Sequence, residues 1–370
     1  MSSGSGVQQQ SVLVGAQEGF FEDYYEHLAG EDFRARSPEF LAAQAETHRE
    51  VADRRVPGKA NIRIVDDADK SVLYIVTDDM PFLVDSVTAE FVRQNSSIQL
   101  VLHPLLQVTR NRQSGQLTKV ERVPSTVGMS SGDASAIPST AHLIEQGDDA
   151  SYLESWIAVE IDLASEEMHG QLIEGIDRVL RDVRAAVEDW PKMRSKALQI
   201  AQDLDYVANP EEIGELHQAQ DLLRWLDQGN FTFLGYREYD LVNNEEGEDV
   251  LELREGSGLG LLRSGADAHH VQHLTPAGRK KAREKRALVI TKASSRSAVH
   301  RPAYLDYVGV KSFDAAGNVS GEQRFVGLFA TSAYAGSVRN IPIVREKVET
   351  VLRLGGSQDG QRVHYSRCGP

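Results

Sequence analysis

From Asn61 onward the apolar positions fall into short β-branched and aromatic runs between polar turns, interrupted by longer stretches at helical spacing. Ile62 to Val65 and Val72 to Val76 read as strands, and the acidic segment Asp66 to Lys70 between them suits a hairpin turn. Phe82, Val84, Val87, Phe91 and Val92 then keep to helical spacing and predict a helix over 81–94. Strands follow over 97–110, broken at His103 and Pro104, and Asn111 to Gly115 turns the chain into a further strand from Leu117 to Val123. Trp156 to Leu163 predicts another strand. Leu172, Ile176, Val179, Leu180, Val183 and Val187 mark a long amphipathic helix that should end at Trp190 and Pro191. Strand, helix, strand, strand, helix with an added hairpin is the outline of an α+β domain: a ferredoxin-like sheet covered by helices on one face.

The flanks divide the rest. Residues 1–16 open with a Ser, Gly and Gln rich stretch and are expected to be disordered. Residues 17–60 predict two helices. The first carries Phe20, Phe21, Tyr24, Tyr25 and Leu28, whose aromatic face should pack on the rest of the protein; the second has Ser37 as N-cap and Pro38 at its first position. Within the domain over 61–190, the Ser/Gly/Ala-rich stretch 124–140 predicts a mobile insertion. Residues 191–228 read as a linker of two helices broken at Asn209 and Pro210. A β-rich unit over 229–335 begins at Phe231 to Tyr236 and continues through Val250 to Arg254, Ala287 to Lys292, Tyr304 to Phe313 and Gln323 to Phe329. Asp314 to Asn318 is rich in turn formers. A helix over about 339–353 closes the pattern, within 336–354, and residues 355–370 lose all periodicity.

Bulk composition narrows the class. A chain of 370 residues exceeds one ordinary core, so two or three domains are expected. Hydrophobic residues at 41% and charged residues at 26% are the proportions of a globular protein. Forty basic against 55 acidic side chains leave a net charge of −15, which argues against a nucleic-acid partner. The single cysteine, Cys368, cannot form an internal disulfide, as suits a reducing compartment. No Lys or Arg occurs before Arg34 and no apolar run approaches a membrane span, so a cytoplasmic protein without a membrane partner is expected.

The chemistry-bearing candidate is the strand-to-helix corner formed by Asp78, Asp79, Met80, Pro81, Phe82 and Val84. Carboxylates beside a helix N-terminus gain about 0.3–1 kcal/mol from the macrodipole and need no ligand. The same corner also offers a second reading, in which the carboxylates receive the ammonium of an amino acid while backbone N–H groups take its carboxylate. Other motifs carry less. Gly128 to Gly132 spells a Gly-x-Ser-x-Gly elbow around Ser130, but its flanks lack the strand and helix that an elbow requires. Gly256, Gly258 and Gly260 read as a turn, since their spacing is not that of a dinucleotide-binding loop. His269, His270 and His273 lack the cysteines or the His-Glu-x-x-His pattern of a metal site, and read as a solvated turn. The basic run Arg279 to Arg286 reads as an exposed helical face, and His103 as a hydrogen-bonded core histidine.

Several of these segments, taken in order, carry a resemblance. Asp79 to Val87, His103-Pro104, Asn230 to Tyr236, Gly258 to Gly260 and Arg301 to Tyr307 together resemble the N-terminal regulatory segment of the large NAD-specific glutamate dehydrogenases of bacteria, from about residue 17 to 353. The resemblance implies that the early α+β unit is ACT-like and the later β-rich unit PAS-like. It also implies that oxidative deamination of glutamate with NAD belongs to a catalytic core outside this segment. No catalytic, cofactor-binding or metal-binding residue is therefore carried over, and the expected partners are the remaining domains of the enzyme or further copies of the chain, with an amino acid as effector. Two features depart from the family pattern. Phe82 stands where amino-acid-binding ACT corners usually have glycine, which points to packing rather than sensing. The tail from Gly355 does not look like the family's continuation, as expected of a designed boundary or a shifted reading frame.

Overall fold

The computed structural model describes residues 19–67, 69–123, 144–146, 148–263 and 271–356. It consists of two units, residues 1–188 with 296–303, and residues 189–295 with 304–370. The predicted disordered start, the 124–140 insertion, Ser130, His269, His270 and the tail from 357 lie outside the described residues.

The first unit is built on one antiparallel sheet. Its strands are β1 (Asn61–Asp67), β2 (Lys70–Asp78), β3 (Ile98–Leu102), β4 (Leu105–Asn111), β5 (Leu117–Arg122), β6 (Ile144–Gln146) and β7 (Asp149–Asp162), in the order β1-β2-β7-β4-β5 with β3 and β6 also on β7. The predicted hairpin forms, with Asp67 opposite Lys70. The break at His103-Pro104 separates β3 from β4, both paired to the same long strand. β7 begins seven residues before the predicted Trp156, at Asp149. Its first half carries Glu154 and Ser155 in buried positions, so it lacks the apolar signature of a strand.

Successive side chains of a strand point to opposite faces. Val72, Tyr74 and Val76 of β2 share one face with Trp156 and Ala158 of β7 and with Leu106 and Val108 of β4. Onto this face pack α1 (Phe20–Tyr24) and α3 (Pro38–Ala52), through Phe20, Tyr24, Leu41, Ala45 and Val51; α2 (Gly30–Arg34) lies between them in sequence. The expected packing of the aromatic N-terminal residues is found, although the first helix stops at Tyr24. Ser37 caps α3 by accepting the Phe40 N–H, with Pro38 at the first helical position. The other face presents Ser71, Leu73, Ile75, Thr77, Ile157, Val159 and Ile161, and is reached by α5 (Glu166–Asp203), whose His169 Nε2 lies 3.4 Å from Ser71 Oγ. α4 (Leu83–Arg93) lies against α5, where Gln94 just beyond its end donates to the Gln171 carbonyl. Helices therefore cover both faces, not one. The reason lies in α3, whose buried Leu41, Ala45 and Val51 need a second apolar sheet face to bury against.

A second correction concerns Pro191, which lies inside α5 rather than ending it. A proline in a helix interior costs about 3 kcal/mol. Continuing the helix buries Met193, Ala197, Ile200 and Ala201 in the second core, at roughly 1.5–3 kcal/mol for each large apolar side chain, which offsets that cost. The part of α5 up to Glu188 belongs to the first unit and the part from Asp189 to the second.

In the second unit α6 (Leu216–Trp225) follows the break at Asn209-Pro210. The sheet comprises β8 (Phe231–Asn243), β9 (Asp249–Leu253), β10 (Leu259–Gly260), β11 (Val271–His273), β12 (Leu288–Arg296), β13 (Tyr304–Phe313) and β14 (Val319–Phe329), ordered β11-β9-β8-β14-β13-β12 with β10 on β8. α7 (Pro276–Arg283) carries only the first part of the basic run, with Lys285 and Arg286 beyond its C-cap, Glu284; α8 (Thr331–Ala335) and α9 (Pro342–Gly356) end the chain's described part. Leu222, Leu223, Phe231, Phe233, Tyr236, Val308, Val310 and Phe325 form the core with the end of α5. Asp314 Oδ1 accepts the Ala316 and Asn318 N–H groups, closing the predicted β13–β14 turn. Residues 296–303 leave this pattern and fold with the first unit.

Candidate functional site

The corner begins where β2 ends, and its first carboxylate is held by a buried ionic cluster. Arg55 Nη2 donates to Asp78 Oδ1 at 2.6 Å and to Glu154 Oε1 at 2.6 Å. Arg184 Nη2 donates to Asp78 Oδ2 at 2.6 Å, as does the Gly58 N–H at 2.9 Å. Arg110 Nε and Nη2 grip both oxygens of Glu154, at 2.7 and 2.9 Å, while Trp156 Nε1 adds 3.0 Å to Oε2. The side chains of Arg55, Arg110 and Glu154 are wholly buried. Burial opposes ionisation of Asp78, but Arg55, Arg184 and the Gly58 N–H outweigh it and hold the carboxyl below its usual range.

The hairpin after β4 is tied to the same cluster. Gly115 has φ of 71° and its carbonyl accepts from both Arg55 N and Arg110 Nη1. A Cβ there would lie 2.4 Å from the Arg55 carbonyl oxygen, so only glycine fits. Sequence reasoning missed the cluster of Arg55, Arg110, Glu154 and Arg184 behind Asp78. A signal existed, because strand alternation puts Arg110 on the same face as Leu106 and Val108, and a buried guanidinium demands a carboxylate.

Asp79 looks the other way. Its N–H donates to the Leu153 carbonyl and its Oδ1 accepts from Ser155 Oγ at 2.7 Å. His103 Nε2 lies 2.9 Å from the same Ser155 oxygen. With the serine proton on Asp79, the imidazole donates to Ser155. The hydroxyl thus stands between carboxylate and imidazole, which is not the order of a nucleophilic triad. Burial lowers the His103 pKa, against a smaller pull from Asp79. His103 is the hydrogen-bonded histidine expected.

Met80 is buried, and Phe82 adopts φ 71° as it starts α4. The Phe82 carbonyl accepts the Ser86 N–H and its hydroxyl, at 3.0 and 2.6 Å. Its ring sits against His300, from the 296–303 segment of the same unit, with centroids 4.8 Å apart. The His300 N–H donates to Ser86 Oγ, and its Nδ1 lies 3.5 Å from Asp85. Val84 is partly exposed on the first turn.

Four residues of the basic run are paired. Arg279 meets Glu248 at 2.6 Å, Arg283 meets Asp249 at 3.0 Å, Lys285 meets Glu212 at 2.8 Å, and Arg286 pairs with Glu215. Among the described residues no cluster of three metal-binding side chains occurs, and no helix is long and apolar enough to cross a membrane. Among the described residues, neither the glycine-rich turn nor the strand-to-helix corner has the form of a dinucleotide-binding loop. Gly256 to Gly260 leads into β10 against β8 instead of opening a helix, and at the strand-to-helix corner Phe82 holds the left-handed position without a glycine.

Residues 20–176, which include this corner and the sheet behind it, match the family profile described as the glutamate dehydrogenase ACT1 domain, so the fold and corner are those of an ACT-containing protein. The chain is 32% identical over 292 residues to the NAD-specific glutamate dehydrogenase of Halomonas elongata and 34% identical over 288 residues to that of Pseudomonas aeruginosa. The enzyme of the same name from Mycobacterium tuberculosis is 26% identical over 288 residues. The chain matches a segment of the NAD-specific glutamate dehydrogenases. These matches take in 76% of the chain for the first two and 77% for the third, and 16%, 16% and 15% of the relatives, so the chain spans only a small part of their length.

Proposed function

We propose that this chain is a regulatory and assembly segment of an NAD-dependent glutamate dehydrogenase and does not itself carry out hydride transfer. The observation that carries this reading is the closure of the corner by its own side chains. Asp78 is saturated by Arg55, Arg184 and Gly58, and the Phe82 ring lies on His300. A corner built this way serves packing better than amino-acid capture. The ACT-like first unit would act through its sheet edges and helical faces, on the rest of a longer chain or on further copies. The second unit, an antiparallel sheet covered by the end of α5 and by α6, supports a PAS-like reading with the same role. NAD would then be bound by residues outside this chain. A steady-state assay of the purified chain with glutamate and NAD is expected to give no turnover; protein-dependent NADH formation overturns the proposal.

A further inference from the structure

We infer that a cavity of about 390 Å³ in the first unit, walled by the 58–60 segment and the middle of α5, binds a small organic carboxylate. Gly58, Lys59, Ala60, Thr77, Leu180 and Arg184 line it, with Asp177 and Arg181 at α5. The inference goes beyond the reading above and does not depend on it, since binding to the chain is measured directly and that reading stands or falls on turnover.

Three observations converge. The first is charge: Lys59, Arg181 and Arg184 line the space, Arg181 meeting Asp177 at 3.2 Å and Arg184 meeting Asp78 at 2.6 Å and Glu188 at 3.7 Å. The exposed Lys59 ammonium and the outer edges of the two guanidinium groups are what an anion would meet. The second is an orphaned hydroxyl. Thr77 is 1% exposed, yet its Oγ1 has no hydrogen-bond partner among the described residues. A valine would fill the same volume without that cost, so the hydroxyl is matched to something that arrives. The third is preorganisation. The buried cluster fixes the 58–60 wall before any ligand comes, with the Gly58 N–H on Asp78 and the Lys59 carbonyl taking Arg55 Nη1 at 2.9 Å. The same carboxylate, Asp78, holds Arg184 in place at the opposite wall. Ala60, Leu180 and the aliphatic stems of the cations supply apolar surface, which favours an organic carboxylate over a bare inorganic anion.

The test titrates the full chain by calorimetry with acetate, glutarate, inorganic phosphate and glutaramide, the uncharged counterpart of glutarate. Saturable binding of acetate or glutarate, with glutaramide at least tenfold weaker, is expected. The double variant Lys59→Ala, Arg181→Ala should weaken that binding tenfold or more, because both side chains are exposed and leave the fold intact. Thr77→Val should weaken it several-fold while the ligand-free protein melts at the same or a higher temperature. Absence of saturable binding by either carboxylate overturns the inference. So does phosphate binding more tightly than both, equal binding of glutaramide, or unchanged affinity in the double variant.

Discussion

The rings of Phe82 and His300 lie 4.8 Å apart, and both residues hold the left-handed backbone, each at φ 71°. A bulky residue pays of the order of 1 kcal/mol or more for that conformation, so the ring contact compensates strain on both sides. Phe82→Ala keeps the strain and loses the contact, whereas Phe82→Gly loses the contact and releases the strain. Both variants should be less stable than the parent in urea unfolding, with the glycine variant about 1 kcal/mol more stable than the alanine variant. Equal midpoints would show that the backbone at Phe82 is not strained.

Glu154 stands between two wholly buried guanidinium groups, and its neutralisation leaves Arg110 without a carboxylate and Arg55 with Asp78 alone. Glu154→Gln should therefore destabilise the first unit by about 3–5 kcal/mol, far more than a surface pair would. A loss below about 1 kcal/mol in equilibrium unfolding would mean that the cluster is wetter than its burial indicates.

His48 titrates against folding. Its Nε2 donates to the Ile75 carbonyl at 3.1 Å and its Nδ1 accepts from the Tyr24 hydroxyl at 2.7 Å, an arrangement that needs a neutral ring. Burial pushes its pKa down to about 3, from 6.5 when exposed. A lowered pKa gives stability that is complete above pH 6.5 and is lost as the pH falls toward 3. The loss approaches about 1.4 kcal/mol per pH unit below 6. His48→Gln should be less stable at pH 8 and show a flatter decline between pH 6 and 4; an unchanged slope rejects the assignment.

Asp189 gives the second unit a different window. Burial opposes its charge, but Arg263, the Gly260 N–H at 3.0 Å and Lys192 at 3.0 Å prevail, and its pKa falls to about 2. Its contribution is full above pH 4 and lost as the pH drops through 2, a total of roughly 2 kcal/mol. Asp189→Asn should remove that acid-limb dependence and lower stability at neutral pH. Thermal melts of the variant that fall in parallel with the parent between pH 4 and 2 would contradict this.

Much of the local structure could be read from residue order alone. The β1–β2 hairpin, the Ser37 cap, the break at His103-Pro104 and the Asp314 turn are decided by neighbours within a few positions, where side-chain chemistry acts directly on the backbone. The corner 78–84 was legible as a place for the same reason. Its partners were not: Arg55, Arg110, Glu154, Arg184 and His300 lie from 23 to more than 200 positions away from it, on strands, a helix and two loops that only the tertiary fold brings together. The same holds for the passage of α5 through Pro191, where a local rule says stop and burial against a distant sheet says continue. Local interactions are set by covalent proximity, so the sequence by itself determined the elements and their turns. The pairing of buried charges, the second helical layer and the cavity beside Thr77 depend on which faces meet, and the tertiary structure alone decided them.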